Sequence, residues 1–187
     1  DSAATQQIFN SLSLPIQLEA NFRLHSKEPT MIMTKAELMS ALKHESKIVL
    51  HLAGKCDRKQ LEYRPTPKQR STMDMLRYLS MMGPEIVRYA FSPTPGFDDW
   101  TKAVEATAKL DYDGVVKQIA ALPATYEKML GGVADADFRT EIKDFEGQPT
   151  SRGAFLVELA LCGHAAYRTQ LFLYLKSCGQ EGLDSSD

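Results

Sequence analysis

The segment SRGAFLVELALCGHAAYRTQLFLYLKS, residues 151–177, decides the fold of this chain. Its first half is apolar almost all round, and Gly179 follows it as a helix stop. A helix without a polar face has to be covered by other elements, so the pattern predicts the central helix of a helical domain. The apolar run at 154–166 contains Glu158 and His164 and is too short to span a bilayer.

Helical periodicity recurs three times upstream of this segment. The first predicted helix covers residues 34–54 and opens on a capping box formed by Thr34 and Glu37. The second begins after Ser71, and the third begins near Asp113. Each carries an apolar stripe at helical spacing, as expected of helices that pack against one another.

The connections between these helices are long. Gly83-Pro84 lies inside the second helix and is predicted to kink or split it. Residues 92–111 are predicted to form a loop with a short helical turn, and 133–149 a long ordered loop or a short extended piece. A strong β-branched alternating run is missing. The predicted fold class is therefore all-α, a four-helix bundle with long crossover loops.

The composition is that of one ordinary globular domain, with 43% hydrophobic and 25% charged residues in 187. Lys+Arg number 22 against 24 Asp+Glu, and this even balance predicts neither a nucleic-acid nor a membrane partner. Cys56, Cys162 and Cys178 do not form a disulfide framework. Reduced thiols and a cytoplasmic location are therefore expected, with Cys162 the most buried of the three thiols.

We expect three parts along the chain. Residues 1–32 are an N-terminal extension, expected to be a mostly irregular arm. Residues 33–180 are the helical domain, and 181–187 are a C-terminal tail. The extension lacks a basic segment followed by an apolar run, so it does not have the pattern of a secretory signal.

Common catalytic motifs are missing, so no residue is assigned a catalytic role: GxGxxG, Walker, HExxH, GxSxG and EF-hand patterns do not occur. Polar residues instead fall on inward helix faces, where an unpaired group costs about 1–3 kcal/mol. These are Glu45, Tyr78, Glu158, His164, Tyr167, Arg168 and Gln170. Glu45 is either a pocket carboxylate with a raised pKa or the partner of Arg168 in a structural ion pair.

Three other features have a functional and a structural interpretation. Gly163 inside a helix indicates close backbone approach or spare room. His44 and His51 are expected on the flank of the first helix, too far apart to share an ion. The methionines of the second helix are interpreted as core or dimer packing rather than a soft-metal site; they are Met73, Met75, Met81 and Met82.

The last predicted helix resembles the signature of the DinB-like (YfiT-like) four-helix-bundle superfamily. That signature has a histidine, then Arg-Gly-Gln, then a Tyr-Leu-Arg-like stretch and a glycine. The matching residues are GHAAYRTQ at 163–170, YLK at 174–176 and Gly179. The approach to the second helix is also similar, through YRP at 63–65, QRS at 69–71 and MLRYL at 75–79. The resemblance covers residues 34–180 and implies the bundle fold.

In many members of this superfamily three histidines bind a divalent metal, one on the second helix and an HxxxH pair on the last. Such members are regarded as hydrolase-like or thiol-transferase-like proteins and are often dimeric, which implies a homodimer here. In this sequence the three positions fall on Tyr78, Gly163 and Tyr167. Glycine has no ligand atom in its side chain, and a neutral phenol is a poor ligand for zinc or nickel. We therefore expect no cofactor and a degenerate, metal-free site.

Adjacent to the lost position, His164 leaves two interpretations open. It could rebuild a zinc or nickel site, or it could be a core histidine bonded to a carbonyl or a tyrosine. Tyr78 and Tyr167 are predicted to form a hydrogen-bonding pair across the former site. The predicted pocket consists of Tyr78, His164, Tyr167 and Glu45, with Arg168, Gln170 and Glu158 as structural polar residues.

The favoured function is a small-molecule-binding or interaction module with this metal-free inter-helix site. The alternative is a metal-dependent hydrolase or thiol S-transferase-like enzyme that uses an atypical site near His164. A structural dimer with a vestigial pocket is the third hypothesis, and a closed, dry core at Gly163 would favour it.

Overall fold

The computed structural model describes residues 33–184. The predicted extension, 1–32, and residues 185–187 of the predicted tail lie outside the described residues. Six α-helices are found in the described part: α1 Lys35–Gly54, α2 Thr72–Phe91, α3 Asp98–Ala108, α4 Tyr112–Leu130, α5 Arg152–Phe155 and α6 Cys162–Ser177. A π-helical segment, Leu156–Leu161, joins α5 to α6 without a break. The short elements are two 3-10 turns, Arg58–Gln60 and Asp135–Arg139, and the strands β1 Glu141–Lys143 and β2 Pro149–Ser151.

The bundle consists of α1, α2, α4 and the continuous last helix, residues 152–177. Helix α1 packs on α4 and α6, and α2 packs on α3, α4 and the last helix. The predicted all-α bundle is therefore confirmed. Leu42, Val49, Leu79, Ile119 and Leu171 have no solvent exposure, which places the core between these four segments.

Helix α1 starts where its sequence predicts. The Thr34 amide donates to the Glu37 carboxylate at 2.7 Å, and the Glu37 amide donates to the Thr34 hydroxyl at 3.2 Å. These reciprocal bonds satisfy two backbone donors that a helix start otherwise leaves unpaired.

Helix α2 runs through Pro84, so the prediction of a split helix is wrong. Pro84 has no N–H for the carbonyl of Ser80, which is the acceptor one turn earlier. The side-chain amide of Gln118 on α4 donates to that carbonyl instead, at 3.3 Å. A tertiary hydrogen bond thus supplies what the proline removes.

The predicted loop at 92–111 contains α3, an 11-residue helix, which corrects the prediction of a short turn. Only two residues of α3 are buried, Trp100 and Thr107. An apolar stripe that short gives almost no periodic signal, and the helix is instead held by packing of Trp100 against the bundle.

The segment 133–149, predicted as a loop or an extended piece, contributes a 3-10 turn and the first strand of a small hairpin. Strands β1 and β2 pair antiparallel, with Glu141 opposite Ser151 and Ile142 opposite Thr150. The Asp144 carboxylate accepts the amides of Glu146 and Gln148 at 2.8 Å each and closes the turn. Within residues 33–184, none of the helices combines the length and the apolar character that crossing a bilayer requires.

Gly83 marks the closest approach between helices. A Cβ at this position would lie 1.8 Å from the Tyr126 hydroxyl and 2.7 Å from Nε2 of His164. Both atoms lie in the packed interior, since Tyr126 and His164 have no exposure. A side chain of any size at this point of α2 has to displace them.

We predict that Gly83→Ala destabilises the protein although alanine favours helices. The clash should outweigh the helix-propensity gain and leave a net loss of about 1–3 kcal/mol by urea denaturation. Gly54→Ala is the matched control, because no atom lies within 4 Å of its added Cβ. Combining Gly83→Ala with Tyr126→Phe should cost less than the sum of the two changes, and strict additivity would contradict the packing argument.

Candidate functional site

His164 is buried in the bundle and bonded to a tyrosine. Its exposure is zero, and its Nε2 lies 2.7 Å from the hydroxyl of Tyr126 on α4. Its Nδ1 has no hydrogen-bond partner within residues 33–184. The sequence left open a metal site or a core histidine bonded to a carbonyl or a tyrosine, and the structure shows the histidine bonded to a tyrosine. The sequence did not predict Tyr126 as this partner, because the residue was assigned to the apolar stripe of its helix. The signal was its hydroxyl, since a buried phenol needs a hydrogen-bond partner.

Burial keeps both members of this pair neutral at pH 7. It lowers the pKa of His164 to about 4 and raises the pKa of Tyr126 far above its usual range. The pair is therefore an uncharged imidazole–phenol hydrogen bond. No group of three or more His, Cys, Asp or Glu side chains is arranged to hold a metal ion among residues 33–184.

Tyr78 and Tyr167 meet, as predicted, through a side-chain hydrogen bond and also through their rings. Their centroids are 4.7 Å apart, in an edge-to-face arrangement. The guanidinium of Arg70 lies 4.1 Å from the Tyr78 centroid and 5.7 Å from that of Tyr167. Burial raises the pKa of Tyr78, and neighbouring Tyr167 adds to the rise. Arg70, which the sequence indicated only as part of the QRS stretch at 69–71, thus places its cation over this pair.

Gly163 faces a methionine. A Cβ there would lie 2.5 Å from the Cε methyl of Met82, which is 1% exposed. Glycine therefore allows close packing at this point, and Met82 occupies the room that a larger residue would need. The core is thus closed at Gly163, which is the arrangement expected for a protein whose inter-helix pocket is vestigial. The other methionines of α2, Met73, Met75 and Met81, are also buried.

Glu45 and Arg168 form the ion pair that the sequence offered as one of two interpretations. Arg168 Nε donates to Glu45 Oε2 at 2.5 Å and Nη2 donates to Oε1 at 3.4 Å. The Glu45 side chain is 11% exposed and that of Arg168 is 32% exposed. The pair joins α1 to α6 at the edge of the core.

Several predicted burials are wrong. Glu158 and Gln170 are exposed, because they lie on the side of the last helix that no described element covers. Cys162 is exposed, while Cys56 and Cys178 are half-buried, the reverse of the expected order. The Cys56 thiol donates to the Leu52 carbonyl at 3.6 Å, and burial raises its pKa to about 12. His44 and His51 are exposed, in line with the prediction of a flank position.

A cleft of about 250 Å³ lies outside the predicted pocket, which we call the aromatic cleft. It is bounded by the end of α2, the start of α3, the loop between them and the hairpin turn. Its lining residues are Glu85, Arg88, Tyr89, Ser92, Thr94, Gly96, Phe97, Asp98, Asp99, Trp100, Lys102 and Phe145. None of the predicted pocket residues is among them.

The aromatic residues of this cleft support one another. The rings of Tyr89 and Phe145 meet edge to face at 4.8 Å, and those of Phe97 and Phe145 lie 5.3 Å apart. Tyr89 also stacks on Phe155 of the last helix at 5.4 Å. Trp100 is 9% exposed and contacts Tyr78 of the interior at 6.0 Å. The walls are therefore fixed by packing against the bundle.

Ion pairs compensate most of the charges in the cleft. Arg88 Nε donates to Glu85 Oε2 at 2.9 Å, and the Glu85 side chain is only 9% exposed. Lys102 Nζ lies 3.5 Å from Asp99 Oδ1. The bonds to Glu85 raise the pKa of Arg88, to which Asp99 adds. Sequence reasoning missed the cleft because its residues come from three separate segments, although Trp100 and the turn at 92–96 were visible signals.

A second cavity of about 360 Å³ lies between α2, α3 and α4 and shares Glu85 and Arg88 with the aromatic cleft. Its other lining residues are mostly small or aliphatic, among them Ala103, Ala106 and Leu122. Its chemistry is less specific than that of the aromatic cleft.

No known protein family and no curated protein matches the sequence. Among solved structures, the chain is similar to a DinB-like protein (YjoA) from Bacillus subtilis, with a TM-score of 0.60 and 14% identity over 76% of this chain and 91% of that chain. It is similar also to a DinB-like protein from Bacillus cereus ATCC 10987, with a TM-score of 0.62 and 14% identity over 80% of this chain and 95% of that chain. The chain therefore has the DinB-like fold, as the sequence resemblance implied.

We predict that Arg168→Ala destabilises the protein by about 1–3 kcal/mol, which lowers Tm by several degrees. The reason is that Glu45 then keeps a carboxylate in a largely buried position without its counter-ion. Lys102→Ala is the matched control, since both side chains of its pair are mostly exposed, and it should leave Tm nearly unchanged. Equal melting curves for the parent and Arg168→Ala would contradict a structural role.

We also predict an acid loss of stability that depends on His164. Its pKa is about 4 in the folded protein against an ordinary value of 6.5, so the unfolded chain takes up the proton first. The stability is complete above pH 6.5, falls as the pH drops towards 4, and is lower by about 2 kcal/mol at pH 5. Urea midpoints at pH 7.5 and pH 5 should differ less in His164→Gln than in the parent. An unchanged difference would place the acid sensitivity elsewhere.

Proposed function

We propose that this chain, with its DinB-like fold, is a metal-free protein that binds a small organic molecule in the aromatic cleft. The proposal has two parts, a central inter-helix site filled by the protein's own side chains and a ligand site on its periphery. The first part concerns the positions where the superfamily places metal ligands, and the second concerns the cleft between α2, α3 and the hairpin.

The contacts of Tyr78, Gly163 and Tyr167, the three positions that lack the superfamily's histidines, support a filled centre. Tyr78 and Tyr167 pack on each other, and Met82 occupies the space in front of Gly163. The neighbouring His164 uses Nε2 for Tyr126. A metal ligated by one histidine would need further ligands, and the neutral phenols nearby are poor ones. This favours a degenerate site over an atypical metal centre.

The aromatic cleft is the single observation that carries the binding function. Ligand sites are typically concave and mostly apolar, with a few fixed polar groups that set orientation. The cleft has the same features, because its walls are aromatic and its Glu85–Arg88 pair supplies fixed polar groups. Its volume suits a molecule of one ring or a few carbon atoms, and no nucleophile–base pair lies among its lining residues.

The resemblance also supports a homodimer as part of this proposal, and sedimentation velocity at micromolar concentration tests it. Dimerisation would leave the binding function unchanged, because the cleft is formed within one chain.

The binding function is tested on the full chain, purified without a tag and without chelators. Elemental analysis should find zinc and nickel well below one equivalent per chain. Saturation-transfer NMR with millimolar benzylamine, benzyl alcohol and benzoate should detect binding of at least one of them. Gly96 lines the cleft and no atom lies within 4 Å of its added Cβ, so Gly96→Phe should abolish this binding by filling the cleft.

Gly132→Phe is the matched control, because its added Cβ is equally unobstructed and Gly132 lies outside the cleft. It should bind like the parent. Failure of all three probes to bind, or binding that survives in Gly96→Phe, would contradict the binding function. A stoichiometric divalent metal that is lost in His164→Ala would contradict the metal-free site and support the alternative of a metal-dependent enzyme.

A further inference from the structure

We propose that the ligand of the aromatic cleft is a small organic cation, a protonated amine or a quaternary ammonium compound. This inference rests on the proposed binding function and specifies the chemistry of its ligand. It follows from the charges and the rings that line the cleft, taken together.

The balance of charge in the cleft is the first step. Three carboxylates line it, Glu85, Asp98 and Asp99, against two cations. The cations are already engaged, since Arg88 is bonded to Glu85 and Lys102 is paired with Asp99. The carboxylate of Asp98 is exposed and forms no ion pair and no side-chain hydrogen bond within residues 33–184. The cleft thus offers one uncompensated negative charge and no uncompensated positive one.

The rings are the second step. An aromatic face carries negative electrostatic potential and attracts a cation that comes within about 6 Å of its centre. Tyr89, Phe97, Trp100 and Phe145 all line the same cleft. A quaternary ammonium group cannot donate hydrogen bonds, so it is recognised by such rings and by a nearby carboxylate rather than by acceptors at fixed positions.

An anionic ligand fits the same site less well. Its only cationic contacts in the cleft would be Arg88 and Lys102, whose charges Glu85 and Asp99 already balance. A bound anion would therefore add an excess negative charge beside three carboxylates, and drawing Arg88 away from Glu85 would leave a largely buried carboxylate unpaired. The arrangement therefore disfavours carboxylates and phosphates as ligands.

The test compares two molecules of the same shape and different charge. Choline has a positively charged quaternary nitrogen, and 3,3-dimethylbutan-1-ol has a neutral carbon in the same place. Trp100 is the only tryptophan of the chain and lines the cleft, so its emission reports binding there. We expect choline to bind at least about tenfold more tightly than the alcohol, and added salt to weaken choline binding alone.

The Asp98→Asn variant should weaken choline binding by about threefold and leave the alcohol unaffected. Glu105→Gln is the matched control, since it removes one exposed carboxylate charge from the same helix, α3, at a position outside the cleft. Equal affinities of choline and the alcohol, with both lost in Gly96→Phe, would overturn the cation inference and keep the binding function. No change of emission with choline would overturn the inference, while the NMR experiment decides the binding function separately.

Discussion

The hydrogen bond between Tyr126 and His164 is the constraint on which the centre of this molecule depends. It joins α4 to the last helix and lies against Gly83 of α2, so three of the four bundle segments meet at one pair of polar atoms. Both residues have no exposure, and burying a phenol or an imidazole without a partner costs free energy. Each therefore needs the other, and the glycine leaves the room in which they meet. Helix spacing at this level of the bundle is fixed by that geometry.

The interior near Gly163 is packed in the same manner. Met82 occupies the space in front of the glycine, Tyr78 and Tyr167 pack on each other, and the Glu45–Arg168 pair joins α1 to α6. The polar groups near the centre are thus engaged in a neutral hydrogen bond, a ring pair and one ion pair, while Nδ1 of His164 has no hydrogen-bond partner within residues 33–184. The aromatic cleft lies apart from this centre, and Trp100 lies between the two.

The sequence predicted the parts of the fold that rest on local signals. The capping box at Thr34 and the periodic stripes gave the four bundle segments nearly to their ends. Helix α3 was missed because only Trp100 and Thr107 face inward, and Pro84 was misjudged because its compensating bond comes from Gln118, 34 positions later. The structure buries His164 and brings Tyr78 and Tyr167 together, whereas Glu158 and Gln170, which were also predicted to face inward, are exposed. The role of Tyr126 and the cleft were not predicted, since both depend on contacts between segments distant in sequence.

Trp100 lines the cleft and also contacts Tyr78 of the aromatic pair at the centre. The other cleft residues come from the C-terminal half of α2, the loop that follows it, the start of α3 and the hairpin turn. A substitution of Trp100 therefore changes the wall of the cleft and the packing around Tyr78 at the same time. In mechanical terms, Trp100 couples the shape of the cleft to the shape of the bundle centre.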